Sequence, residues 1–158
     1  MSFDKEIKQI LLESPSTIND DGILEVYRYQ YSYNAIYREF AQAIKKTPAQ
    51  VHSVADIPFL FFFFYKNHSV ITQDGSVDFT KSVDFYSSGT TSANRSTHTV
   101  ADPAFYQMRS QHIFESYYGS LKDVIIIAVL PSYEENSSSS LIFMMQHFIR
   151  ETNHDASG

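Results

Sequence analysis

The run Phe85-Tyr86-Ser87-Ser88-Gly89-Thr90-Thr91 sets four hydroxyl side chains around one glycine, directly after an apolar stretch that reads as a strand. Glycine permits positive φ and close backbone approach, so successive N–H groups can converge on an anion. The hydroxyls of Ser87, Ser88, Thr90 and Thr91 add rotatable donors that follow an oxygen as charge develops on it. Phosphate binding is the chemistry this suits. Clustered serine and threonine are also ordinary loop chemistry, and the residues by themselves leave both readings open. His98, just past the loop, is a candidate ligand contact or a surface or cap histidine. The six histidines show no ligand spacing with nearby carboxylates, so no metal site is expected from them. Glu134-Glu135 reads as a solvated loop pair rather than an acid–base pair. No catalytic residue is identified.

Composition narrows the classes. With 158 residues, 43% of them hydrophobic, 13 Phe and 11 Tyr, the chain is long enough for one globular domain with a core. The net charge is −6 and no basic cluster exceeds Lys45-Lys46, which argues against a nucleic-acid partner. There is no cysteine, so disulfides, thiolate metal sites and a cysteine nucleophile within the chain are excluded. The charged N-terminus lacks the apolar stretch of a signal peptide, and the longest apolar run, 57–65, is too short to span a bilayer. A cytoplasmic protein without membrane insertion is expected. The Asn-X-Ser matches at Asn67, Asn94 and Asn136 are then read as chance.

The elements that must position the loop follow from periodicity. Residues 3–13 read as a short amphipathic helix. Asn19-Asp20-Asp21-Gly22 is a turn and cap for a longer helix over 23–45, with Tyr33, Ile36, Tyr37, Phe40 and Ile44 on one face. The five tyrosines between 27 and 37 are read as packing this helix on the domain. A short helical turn is expected around 48–53. The run 57–65 has no clear period and reads as a buried strand or a buried helix segment. Asp74-Gly75 is a hairpin turn between 70–72 and 77–79. Asp102-Pro103 opens a helix that runs to Tyr118 and stops at Gly119. Residues 123–130 are apolar and β-branched throughout, as in a central parallel strand. The serines 137–140 cap a last helix over 141–151. This order predicts an α/β fold with a mostly parallel sheet, a β-hairpin, and loops 87–96 and 131–140 at the carboxyl edge, where ligands bind.

Ser87-Ser88-Gly89-Thr90-Thr91 resembles the phosphate-binding loop of adenylate-forming enzymes. Within them the chain looks like the LuxE-like acyl-protein synthetases, relatives of the phenylacetate-CoA ligases. Ile57-Pro58-Phe59-Leu60 with Phe64-Tyr65-Lys66-Asn67-His68, then Ser96-Thr97-His98, then Leu130-Pro131-Ser132-Tyr133 with Ser139-Ser140-Leu141-Ile142, are similar to that family's segments in the same order. The resemblance covers nearly the whole chain. It implies ATP and Mg²⁺ as cofactors, a fatty or other carboxylic acid as substrate, and a thiol on a protein or coenzyme A as acceptor. Ser87, Ser88, Thr90 and Thr91 would clamp phosphate, Gly89 would shape the loop, and Arg95 and His98 would assist. Lys66 and His68 would face the acyl or nucleotide pocket, or lie in a solvated turn.

Four departures accompany it. Ser92 stands where a glycine is expected, which costs the loop backbone freedom. Ala93-Asn94-Arg95 replaces the proline and lysine beyond it, leaving Arg95 as the cation there; arginine still pairs with phosphate. Phe61-Phe62-Phe63-Phe64 is more apolar than the family's pattern. The later nucleotide contacts and the small lysine-bearing domain have no counterpart. Residues 1–158 therefore read as a single domain, the N-terminal part of an acyl-activating enzyme, with a helical lead-in over 1–54 and an α/β part with the phosphate loop over 55–158. A truncated gene, a split gene completed by a downstream polypeptide, or an expressed fragment would produce such a chain, inactive by itself. Lost sheet neighbours would leave an exposed apolar edge. The alternative is a non-catalytic binding or interaction module that keeps the inherited fold.

Overall fold

Asn19 starts helix α1 (Asp20–Tyr33) by accepting a hydrogen bond from the Gly22 N–H at 2.8 Å. Asp20 and Asp21 place negative charge at the positive end of its dipole. The computed structural model describes residues 7–8, 19–87, 95–130 and 138–158, with Ile7 and Lys8 helical. The single helix expected over 23–45 is two, because Asn34 breaks it. Asn34 is extended and buried, and its side chain accepts from the Tyr37 N–H at 3.0 Å to cap α2 (Ala35–Ala43). One asparagine thus ends the first helix and starts the next.

The α1–α2 pair closes on a core of Leu24, Tyr27, Tyr37 and Val51. The Tyr27 and Tyr37 rings meet edge-on at 6.1 Å, and their hydroxyls donate to the Lys46 and Pro58 carbonyls at 2.9 and 2.6 Å. Each ring buries apolar area while its polar tip finds a partner. Tyr33, placed on the same face by periodicity, is exposed instead. Residues 47–51 make the expected helical turn, with the Gln50 and Val51 N–H groups both donating to the Thr47 carbonyl.

The run 57–65 is not buried as expected. Pro58 leads into turns and the short helix α3 (Phe64–Asn67), and Phe59, Phe61, Phe62 and Phe63 are exposed, Phe59 to 82%. A run without a period sends its side chains in several directions, and only part of it faces the core. Ile57 and Leu60 pack on the α1–α2 cluster, and the Phe40 ring contacts Phe61 and Phe64. The Asp74-Gly75 turn forms, with Gly75 at φ 83° and the Asp74 carboxylate accepting from the Ser76 N–H. Its flanks are not strands. The Gln73 N–H donates to the Tyr33 carbonyl and the Asn34 amide to Thr72 Oγ1, so this segment is tied to the α1–α2 junction rather than across the turn.

The sheet corrects the expected topology. Among the described residues it has two antiparallel strands, β1 (Val83–Tyr86) and β2 (Thr97–Val100), in register Val83↔Val100 to Tyr86↔Thr97. The chain doubles back after Ser87 instead of proceeding directly to a helix. β2 alternates Thr97 and Thr99 on one face with His98 and Val100 on the other, beside Phe85. Helix α4 (Pro103–Tyr118) has the expected limits, with the Asp102 carboxylate accepting from the Phe105 N–H at 2.9 Å and Gly119 at φ 84° ending it. Helix α5 (Ser140–Thr152) is capped by Ser139. Phe85 lies against Tyr106 and Phe143, joining β1 to both helices, and Phe114 meets Phe148 between them.

The run 123–130, expected as a central strand buried on both faces, enters no ladder. It follows a 3-10 turn (Leu121–Asp123) as extended chain held by the end of the sequence: Ile126 N–H to Ser157 Oγ, Gly158 N–H to the Ile126 carbonyl, and Ala128 N–H to the Gly158 carbonyl. Ile125, Ile127 and Val129 form an exposed alternating stripe, Val129 to 95%. The described chain is a mixed α/β arrangement of helices around a small antiparallel sheet. Among the described residues no helix is long and apolar enough to cross a membrane.

Candidate functional site

Two hydrogen bonds close the base of the hydroxyl loop. The Ser87 N–H donates to the Ser96 carbonyl, and the Ser96 N–H donates to Ser87 Oγ, both at 3.0 Å. Ser87 Oγ thereby accepts from the backbone while its own proton stays available to donate. Ser88, Gly89, Thr90 and Thr91 lie outside the described residues. Arg95 is exposed beside Ser96. His98 stacks on Tyr65 with ring centres 5.6 Å apart, and it stands two residues, roughly 7 Å of strand, from the loop base. Two serines, an arginine and a histidine are among the side chains at this base. That donor set suits an anion.

A second loop returns to the same place. The Tyr86 N–H, on the β1 edge away from β2, donates to the Ser138 carbonyl at 3.0 Å. Residues 131–137, with Glu134 and Glu135, lie outside the described residues. Ser138 leads into the Ser139 cap of α5, so the base of the hydroxyl loop and the start of α5 meet at Tyr86. Sequence reasoning missed Ser96 and Ser138 as members of this constellation. The Thr97-His98-Thr99-Val100 alternation was the available signal for β2, and β2 is what brings Ser96 back to Ser87. Lys66 and His68 are exposed on and just after α3, with the His68 ring 5.9 Å from Phe64.

Below the loop base, a cavity of about 430 Å³ separates β2 from α4. Its apolar walls include Val77, Val100, Phe105 and Ile113, and its polar groups include Lys8, His98, Asp102 and Arg109. Lys8 Nζ is 2.9 Å from the Asp102 carboxylate and 5.4 Å from the centre of the Phe105 ring. Burial pushes the Asp102 carboxyl up, but the Phe105 N–H and Lys8 outweigh it and leave it below its ordinary value. A separate cavity of about 330 Å³ lies between α1 and residues 54–70, lined mainly by Ile, Val, Tyr and Phe side chains.

Between α4 and α5 lies a partly buried polar relay. The His147 Nε2 and Gln111 Oε1 are 2.9 Å apart, and the Gln111 amide donates to Glu115 Oε1, which also accepts from the Leu121 N–H. Glu151 stands 3.9 Å from His147 Nδ1. Burial pulls the His147 pKa down, against the opposing pull of Glu151. Among the described residues no three His, Asp or Glu side chains cluster as a metal site. No protein-family model, curated protein or solved structure matches the chain.

Proposed function

We propose that the chain carries the phosphate-gripping part of an ATP-dependent acyl-activating enzyme. Such an enzyme joins a fatty or other carboxylic acid to AMP and passes the acyl group to a thiol. The observation that carries this reading is the doubly hydrogen-bonded Ser87–Ser96 base, which joins the two ends of the glycine- and hydroxyl-rich segment next to Arg95. A carboxylate attacking an α-phosphate meets a polyanion, and departing pyrophosphate gains charge; fixed amides and hydroxyls suit both demands. The resemblance assigns Ser87, Ser88, Gly89, Thr90, Thr91, Arg95 and His98 to this grip. The described donors fit a nucleotide's phosphates and do not by themselves fit a bare metal. Mg²⁺ in this reading arrives on the nucleotide, where it would neutralise phosphate charge.

The test is ATP–pyrophosphate exchange across a panel of fatty and aromatic acids, with the chain alone and with any downstream polypeptide added. Acid-dependent exchange that disappears in Thr90→Ala supports adenylation. A non-catalytic binding module is the second reading, favoured by Ser92 in place of glycine. It gains if no acid drives exchange while ATP still binds in a Thr90-dependent way.

A further inference from the structure

The run Val124-Ile125-Ile126-Ile127-Ala128-Val129-Leu130 holds no charge, proline or glycine, in a chain whose net charge is −6. It is high in β-propensity and lacks the charges and prolines that keep edge strands apart. One edge of the run is taken. The Gly158 N–H donates to the Ile126 carbonyl and the Ala128 N–H to the Gly158 carbonyl, the pattern of a parallel bridge in which Gly158 stands opposite Ile127. Extended backbone sends the N–H and C=O groups of alternate residues to opposite edges, so those of Ile125, Ile127 and Val129 point the other way. No hydrogen bond among the described residues reaches them. Ile127 is 78% exposed and Val129 95%, which leaves main chain and side chain accessible together.

We propose that this open edge is an interface for a second copy of the chain, paired antiparallel about a two-fold axis at Ile127. In that register Ile127 faces Ile127 of the second copy and Ile125 faces its Val129. Every pair then joins β-branched side chains and exchanges both N–H···O bonds. A two-fold interface must be its own complement, and this run is: in either direction from Ile127 the next outward residue is β-branched. Charge selects the same occupant. The nearest charged residues, Lys122 and Asp123, fall at opposite ends of the paired segment in the two copies, so like charges do not meet although each copy carries −6. Because Gly158 holds the far edge, association closes at two copies instead of growing into a filament. The paired segment is short, so the dimer is weak and concentration-dependent. The interface stands on this strand alone and is independent of the adenylating reading.

Sedimentation equilibrium of the full 158-residue chain over rising concentration should show a mass that climbs from one copy towards two and no further. Ile127→Lys sets like charges directly opposite each other at the axis and should weaken association about tenfold. Ile127→Pro deletes an N–H that only the open edge uses and should weaken it similarly. Phe62→Lys, at an exposed apolar position elsewhere, should leave association unchanged. Circular dichroism confirms that each variant is folded, and either folded Ile127 variant is sufficient. The chain has no cysteine, so introduced thiols report the register. Ile127→Cys sets its thiols on Cα atoms roughly 5.5 Å apart, within disulfide reach, and should give a covalent dimer with oxidised glutathione. Ile125→Cys alone leaves roughly 13 Å along the strands between its thiols and should not, whereas Ile125→Cys mixed with Val129→Cys should. A single copy at every concentration, growth past two copies, or undiminished association in a folded Ile127 variant overturns the interface. Cross-linking through Ile125→Cys alone as readily as through Ile127→Cys overturns it as well.

Discussion

Replacing Asp102 separates two roles that one carboxylate performs. Its Oδ1 caps α4 through the Phe105 N–H, and its Oδ2 meets Lys8 at 2.9 Å. Loss of an N-cap acceptor costs about 1 kcal/mol. The ion pair is partly exposed, with side chains 26% and 42% accessible, so its worth is at most about 1 kcal/mol. Asp102→Ala removes both and should destabilise by about 2 kcal/mol, lowering Tm by roughly 4–8 °C for a chain of this size. Asp102→Asn keeps a capping oxygen and should lower Tm by only about 1–4 °C. Differential scanning calorimetry at low and high salt tells the two roles apart. High salt screens the ion pair, so the Asn variant should approach wild type while the Ala variant stays below it. The depressed pKa adds a pH arm. Asp102 binds its proton less readily folded than unfolded, so its contribution is present above its ordinary pKa of 3.8 and lost as pH falls through the lower folded value. Asp102→Asn should flatten that part of the acid limb. Equal Tm losses for Asn and Ala at both salt concentrations would refute the capping role.

Tyr37→Phe deletes the 2.6 Å bond to the Pro58 carbonyl in the α1–α2 core and should cost about 1–3 kcal/mol in chemical denaturation. Burial raises the Tyr37 pKa from 10.0 to about 12, so folded stability should fall as pH rises from 10 towards 12. Ultraviolet titration of phenolate absorbance should lose a late-titrating tyrosine in this variant. His147 is held below its ordinary pKa of 6.5, chiefly by burial, so its contribution is present above 6.5 and lost as pH falls through the folded value. His147→Gln should flatten the Tm-against-pH curve below 6.5, and an unchanged slope there refutes the role. Ser87→Ala removes the acceptor of the Ser96 N–H and keeps the reverse bond; it should shift Tm by no more than a few degrees, and if the proposed adenylating function holds it should weaken ATP binding several-fold.

The helices were most legible where local chemistry marks both ends. Asp102, Pro103 and Gly119 delimit α4, and the Ser139 cap places α5 within one residue of its expected start, because caps act on their immediate backbone. Asn34 shows where local reading fails. Its side chain bonds forward to Tyr37 and also to Thr72, a residue far along the chain, and nothing in the tyrosine-rich pattern reports that second bond. Strand pairing was the least legible feature. Residues 123–130 have strand composition, but a ladder needs a neighbour, and the contacts they make are to Ser157 and Gly158. Four-residue β2 was too short to separate from the loop before it, so its antiparallel return was not foreseen. Of the candidate site, Ser87, Arg95 and His98 were legible as residue types, whereas the Ser87–Ser96 closure and the approach of Ser138 depend on pairing.

Tyr86 is a three-way junction, with β2 on one edge and Ser138 on the other. Both loops therefore share one mechanical anchor. Cutting the anchor releases the ends of both at once. Tyr86→Pro, which deletes the N–H at the junction, should accordingly uncouple Ser87 from the first turn of α5.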